Sequence, residues 1–369
     1  MRANVRNATA GVKDALTLVG CEARGYRRAM GADVSDAPPA RARRRRSRVI
    51  ALTGVHGVAG AALVRRLEAD ERTRRLVLID RYAPAVPLRQ TVFHAVDLTA
   101  TLADTALAQI LAREGVETVI HAAFHDTPRW NVEAAHELEV LGTRALFRAI
   151  ADDVRRGGTV DHVVVLGTTL SYGASSDNPQ YLDETAALRG GVGYPYVADK
   201  VAIEREAAAL RERTGLPVAV LRCAPTLGDE RSLPARLLAL PVVPAVLGTD
   251  PLVQALDLDD LVEAVRAAAR MRWDGAVNVA AGGVLPLSTV IKLSGRLRMP
   301  TLDLVLRAAL QACWVLGAGL VPAAHVAYLR DTFVADTTRA EQLGWQARYA
   351  IGDVLARHWA RRLPIRVAA

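Results

Sequence analysis

Apolar residues follow two rhythms along this chain. Between Arg48 and Leu221, short unbroken apolar runs alternate with longer stretches in which apolar positions recur every three or four residues. Val49-Ile50-Ala51-Leu52, Leu76–Ile79, Val92–Val96, Thr118–His121, Val160–Leu166 and Pro217–Leu221 have the length of strands buried on both faces. Gly60–Asp70, Val132–Ala151 and Tyr196–Arg213 carry helical spacing. Such an alternation predicts an α/β fold, a doubly wound parallel sheet covered by helices on both sides. After Gly228 the alternation loosens. Leu233–Leu247 is apolar and punctuated by prolines, and Leu256–Met271 reads as a helix with an acidic start. Leu302–Leu329 reads as a long apolar helix or helix pair. Its uncharged centre, Ala308–Val321, is short for a membrane span. That segment fits a core or dimer-interface helix, a hydrophobic substrate wall or a contact with a membrane surface. The pattern divides the chain into a basic, disordered extension (1–47), a sheet domain (48–225) and a mainly substrate-binding part (226–369) with segments returning to the sheet.

Charge changes the picture in one place. Residues 1–48 hold 12 of the 47 Lys and Arg and 4 of the 39 Asp and Glu, leaving 35 of each in the remainder. The net charge of +8 therefore belongs to the leader, and the body has no excess for nucleic acid. The leader fits a solvated extension or a tether to anionic lipid. Three widely spaced cysteines exclude a disulfide framework and suit a reducing cytoplasm. His56, His121 and His125 have no metal-ligand spacing.

Two constellations carry chemistry. Thr53-Gly54-Val55-His56-Gly57-Val58-Ala59-Gly60 follows the first strand and opens a helix. Gly54 permits the turn, Gly57 a close approach of a diphosphate to backbone, and Gly60 close helix–strand packing. Asp80 ends the next strand, 20 residues past Gly60. A carboxylate there accepts from adenosine ribose hydroxyls and repels a 2′-phosphate, which selects NAD over NADP, although the adjacent Arg81 leaves room for NADP. This is the Rossmann arrangement. Farther on, Tyr196 and Lys200 share a helix face one turn apart. A cation beside a phenol favours the phenolate and makes it usable as a base.

With these residues in place the sequence resembles the extended short-chain dehydrogenases/reductases, in the NAD-dependent epimerase/dehydratase group. The matching stretches are Thr53–Gly60, Asp80, Asp97-Leu98, His121-Ala122-Ala123, Gly142-Thr143, Leu166–Gly173, Tyr194–Lys200, Leu221–Pro225, Leu258–Val262 and Asp336–Tyr349. The resemblance implies a smaller C-terminal substrate-binding domain and a homodimer through the helices near 132–151 and 196–213. It implies that Thr168 holds the substrate oxygen, Tyr196 exchanges the alcohol proton, and Lys200 positions the nicotinamide ribose. Asp97 and Leu98 would lie by the adenine, with Ala122 and Ala123 along the cofactor. Three departures stand out: Glu139 replaces the family's Asn, Thr169-Leu170 stand where dehydratases carry Asp-Glu, and Val253-Gln254 where epimerases carry an Arg. The expected activity is hydride transfer at a secondary alcohol or ketone, with sugar epimerisation one form of it. A hydroxysteroid-type or lipid-linked dehydrogenase at the inner membrane face and a non-catalytic NAD-binding regulator are the alternatives.

Overall fold

The computed structural model describes residues 47–84 and 91–362. The expected disordered leader, its arginine run and Cys21 lie outside the described residues, apart from Ser47.

The first strand, β1 (Arg48–Thr53), leads into α1 (Val58–Glu68). Then follow β2 (Thr73–Asp80), β3 (Thr91–Ala95), α2 (Ala103–Glu114) and β4 (Thr118–His121). The helical stretch expected over 132–151 is three pieces: α3 (Val132–His136), a π-turn at Glu137–Leu141, and α4 (Gly142–Arg155). Next come β5 (His162–Thr168), a 3-10 turn at Thr169–Tyr172, α5 (Pro195–Thr214) and β6 (Val218–Cys223). The second half runs through β7 (Thr226–Leu227), α6 (Leu233–Ala239), β8 (Val242–Val246), β9 (Leu252–Val253), β10 (Leu256–Asp257) and α7 (Leu258–Met271). It continues with β11 (Gly275–Val279), β12 (Leu285–Pro286), α8 (Leu287–Leu293), β13 (Leu297–Thr301) and α9 (Asp303–Val315). A 3-10 turn at Ala323–Val326, α10 (Ala327–Arg330), α11 (Thr338–Gln342) and α12 (Ile351–Arg362) complete it.

Seven strands form one sheet in the order β3-β2-β1-β4-β5-β6-β11, every neighbour parallel. This is a Rossmann-type doubly wound sheet. Strand period two sorts its side chains. Ile50, Leu52, Leu76, Leu78, Ile120 and Val164 pack with Leu63, Leu67 and Val265 on one face. Val49, Ala51, Val77, Ile79, Val119 and Val163 pack with Leu107, Leu111, Leu146 and Phe147 on the other. Both faces are dry, so these strands read as unbroken apolar runs.

The sequence reading expects segments of 226–369 to return to the sheet without naming a strand there, and β11 is such a segment. A buried polar knot secures this edge. Arg222 Nε donates to Glu204 on α5 at 2.8 Å and Nη1 donates to the Tyr172 hydroxyl at 2.7 Å. Tyr172 in turn donates to Asn278 Oδ1 on β11 at 2.7 Å. The Tyr-Gly and Leu-Arg-Cys-Ala-Pro stretches thus brace the edge of the sheet.

The segment 302–329 differs from a core helix. Of α9 only Leu306 is buried, while Leu304, Val305 and Val315 face solvent, as does Leu316 at its end. Among the described residues no helix is long and apolar enough to cross a membrane.

Leu52 is fully buried at the centre of β1. Leu52→Ala lowers unfolding stability by about 2–5 kcal/mol, measured by urea denaturation, because the cavity in a two-sided core cannot collapse.

Candidate active site

The sheet order reverses between β1 and β4, and a crevice opens where the carboxyl ends of those strands diverge. Gly54 has φ +76°, and a Cβ there would meet the Ala122 carbonyl oxygen at 2.2 Å. At Gly60 a Cβ would stand 1.8 Å from the Gly54 oxygen. The folded backbone itself therefore demands these two glycines. Gly57 differs, since a Cβ there would come no nearer than 3.5 Å to any neighbouring atom. It would project toward Asp126 and the Phe124 carbonyl, into the space over the start of α1. Glycine at 57 keeps that space open, as a diphosphate against the helix opening requires.

A carboxylate already touches that opening. Asp126 Oδ2 accepts from the Val58 N–H at 3.0 Å, on the first residue of α1. Burial holds the Asp126 carboxyl above its usual range, and the Val58 N–H opposes this. Asp80 closes the turn from the other side: Oδ2 accepts from Val55 N at 2.8 Å and Oδ1 from Arg81 N at 2.7 Å. Each oxygen keeps a lone pair free for a further donor.

Tyr196 and Lys200 lie on the first two turns of α5, as their spacing predicts. The Tyr196 hydroxyl donates to the His125 carbonyl at 3.4 Å, and Lys200 Nζ stands 5.1 Å from the centre of the Tyr196 ring. Lys200 is not free, however. Its Nζ donates to Glu139 Oε2 at 2.7 Å, with the two side chains only 6% and 2% exposed. Glu139 Oε1 accepts from His125 N at 2.8 Å. The π-turn, with its one extra residue per turn, swings Glu139 into the interior. A relay fixes that turn. Thr143 donates to the Glu139 carbonyl, so it accepts from His121 Nε2–H at 2.8 Å, and His121 Nδ1 accepts from the Thr53 hydroxyl at 2.6 Å. Burial and the nearby Lys200 charge push His121 down to about 3, in keeping with this neutral tautomer.

Two features act against the expectation that Lys200 makes Tyr196 a ready base. Burial, then the negative charges of Glu139 and Asp126, push the Tyr196 phenol above its ordinary value of 10. The lysine's charge is already balanced by a carboxylate.

Gly57, Ala122, Thr168, Tyr196 and Lys200 line one cavity of about 270 Å³. Thr168 stands at the end of β5, its hydroxyl accepting from Leu170 N at 3.2 Å. The other expected residues stand apart from this cavity. Arg81 and Asp97 pair at 3.5 Å, and the Thr99 N–H and hydroxyl hold the Asp97 carboxyl below its usual range. Leu98 is a core residue packed on Gly142, not part of an open wall, and Ala123 is likewise buried in the core. The sequence pointed to Glu139 only as a departure and did not point to Asp126 at all; a single acid five residues past a strand end carries no periodic or motif signal.

A model of the NAD dependent epimerase/dehydratase family matches residues 50–280. Uncharacterized proteins of Mycobacterium bovis and Mycobacterium tuberculosis are 30% identical over 315 residues, spanning 82% of this chain and 81% of theirs. Solved structures share the fold at lower identity. MoeE5 in complex with UDP-glucuronic acid and NAD superposes with a TM-score of 0.64 at 24% identity, over 85% of this chain and 99% of MoeE5. UDP-glucose 4-epimerase of Thermotoga maritima gives 0.63 at 17%, over 85% and 99%. DesIV, the dTDP-glucose 4,6-dehydratase of Streptomyces venezuelae, gives 0.64 at 19%, over 85% and 97%.

Three buried histidines set an acid limit. Burial lowers His121 to about 3 and both His162 and His325 to about 4, against 6.5 in the unfolded chain. Below pH 6.5 the unfolded chain binds protons that the folded one refuses, so stability falls with pH until about 4 to 3. The thermal midpoint therefore drops across that window. His325→Gln flattens the fall, removing on the order of 3 kcal/mol of its span.

Proposed function

The chain belongs to the NAD-dependent epimerase/dehydratase family, and from that membership we propose that it interconverts a secondary alcohol and the corresponding ketone. The observation that carries this reading is the single cavity shared by Thr168, Tyr196, Lys200 and the glycine turn at Gly57. Gly54, Gly57 and Gly60 with the opening of α1 would hold the NAD diphosphate, and Asp80 the adenosine ribose, with Arg81 and Asp97 beyond it. Leu98, Ala122 and Ala123 would form the backing of that cofactor site. When bound, NAD supplies the two-electron partner, exchanging a hydride with the carbinol carbon as the alcohol becomes the ketone.

The protein's own residues do the rest. Thr168 would hold the substrate oxygen by a hydrogen bond. Tyr196 Oη would take the hydroxyl proton in oxidation and return it to the ketone oxygen in reduction. Lys200 would orient the ribose at the nicotinamide end. Elimination of water is not supported, since Thr169 and Leu170 offer no acid–base pair.

The cavity wall favours an apolar substrate over a sugar nucleotide. Leu233, Leu237, Leu238, Val243, Leu287 and Val290 line it, and its only Lys, Arg, Asp or Glu side chains among the described residues are Lys200 and Asp126. Gln254 is spent on the Ala335 backbone at 2.8 and 3.0 Å. Among the described residues no arginine lines the cavity to meet a second diphosphate. The exposed apolar side of α9, with exposed Lys292 and Arg298 on neighbouring elements, supports peripheral contact of a cytoplasmic enzyme with a membrane that carries such a substrate. Exposed Val132 and Leu141 on the π-turn face support a homodimer through that side. Sugar epimerisation, as in the enzymes of similar fold, is the reading the wall favours less.

Purified protein given NAD and either apolar secondary alcohols or UDP-sugars is expected to form NADH with the alcohols. Tyr196→Phe is expected to lower that turnover by about 10²–10⁴-fold. Full turnover in the Phe variant removes the assignment. Asp126→Asn, which takes a negative charge from the start of α1, is expected to tighten NADH binding several-fold in a fluorescence titration. Because burial raises the Asp126 carboxyl, wild-type binding is expected to strengthen as pH falls and the variant's to be flatter.

A further inference from the structure

Lys200 and Glu139 form an ion pair almost without solvent, and each partner has a second tie. Lys200 Nζ also reaches the His125 carbonyl at 3.5 Å, and its charge sits 4.8 Å from the centre of the Phe124 ring. Both Glu139 oxygens accept a hydrogen bond, one from Lys200 and one from His125 N. A carboxylate 2.7 Å from an ammonium cancels most of that ammonium's field at any third group. The third group here is the Tyr196 phenol.

We infer that Glu139 is a positioning residue that sets the proton inventory of the site: it fixes Lys200 and balances its charge, so the Tyr196 phenol stands protonated at neutral pH, ready to donate to a ketone oxygen. This rests on the reading of Tyr196 and Lys200 given above. The groups facing the phenol agree with it. From α5 come Lys200 and Asp199, the latter paired with His136 at 2.7 Å. From the loop after β4 come His125 and Asp126, and from the π-turn comes Glu139. On the remaining side are Tyr194, with its ring 5.9 Å from that of Tyr196, and beyond it His325, which burial keeps neutral above about pH 4, and Tyr328. Glu139 and Asp126 as carboxylates outweigh the one paired cation. Such a site opposes a second full negative charge on the phenolate.

The working direction follows. In reduction, reduced nicotinamide, when bound, would supply the hydride to the carbonyl carbon and so be oxidised, and Tyr196 would give its proton to the carbonyl oxygen. The phenolate left behind recovers a proton from solvent before the next turnover. In oxidation, the phenol must lose its proton before an alcohol can give one up. Reduction is then nearly independent of pH around neutrality, while oxidation speeds up as pH rises.

The test is an ultraviolet titration of tyrosinate absorbance on the full-length protein. Tyr196 is one of eight tyrosines, and subtracting the Tyr196→Phe trace isolates it. In wild type, Tyr196 is expected to ionise above pH 10, the ordinary phenol value. In Glu139→Gln, ionisation is expected to move down by about 1–3 pH units as Lys200 is released to act on the phenol. Glu139→Asp is expected to restore most of the wild-type trace. NADH binding, followed by fluorescence, is measured on each form. Equal titrations in wild type and Glu139→Gln overturn the inference. So does wild-type ionisation below pH 8, a result that decides the matter even if the Gln variant does not fold. Failure of every form to bind NADH sinks the cofactor reading instead, whatever the phenol does.

Discussion

A buried charge must be answered by another, and in this protein that constraint gathers the site. The Lys200 ammonium on α5 is answered by the Glu139 carboxylate, with neither side chain more than 6% exposed. Removing one partner of such a pair leaves a stranded charge and costs about 3–5 kcal/mol. The pair therefore forces three separate pieces of chain together: the first turns of α5, the π-turn before α4 and the loop after β4. The neutral His121 relay between Thr53 and Thr143 carries the same constraint down to the end of β1. Through it the glycine turn and the Tyr-Lys helix hold one register.

Electrostatics around this pair give the crevice a negative balance. Helix α1 opens toward it with the positive end of its dipole, which favours an anion. The anion that the chain itself provides there is Asp126. Burial raises the Tyr196 phenol most, and Asp126 together with Glu139 adds to the rise by making its surroundings negative. Backbone sterics fix the geometry of the glycine turn, and a few side chains fix the charge balance beside it.

The second half of the chain works by contrast of surfaces. Its inner side chains, from Leu233 to Leu355, give the cavity an apolar wall, and the outer side of α9 leaves more apolar surface in solvent. Arg222, Tyr172, Asn278 and Glu204 anchor the last sheet strand. The polar knot braces the frame, and the apolar lobe shapes what enters it.

Much of the frame was readable along the chain. Thr118–His121 appears with its expected bounds, and the six strand runs expected up to Leu221 all join the sheet, because a strand dry on both faces writes itself as an apolar run. Gly54 and Gly60 were readable because their backbone roles admit no side chain, and Tyr196 and Lys200 because four residues on a helix make one turn. Strand β11 escaped notice, since Gly275–Val279 is short and broken by Asn278, whose partners are far off in sequence. The π-turn escaped because helical periodicity hides one inserted residue. The exposure of α9 escaped because apolar composition does not say what is there to cover it. Local pattern thus determined the sheet, the turn and the helix that carries Tyr196 and Lys200. Which charges meet around the phenol, and so what it does with its proton, was decided only when residues 126, 139, 196 and 200 came together, because a Coulomb interaction depends on distance in space and not on separation along the chain.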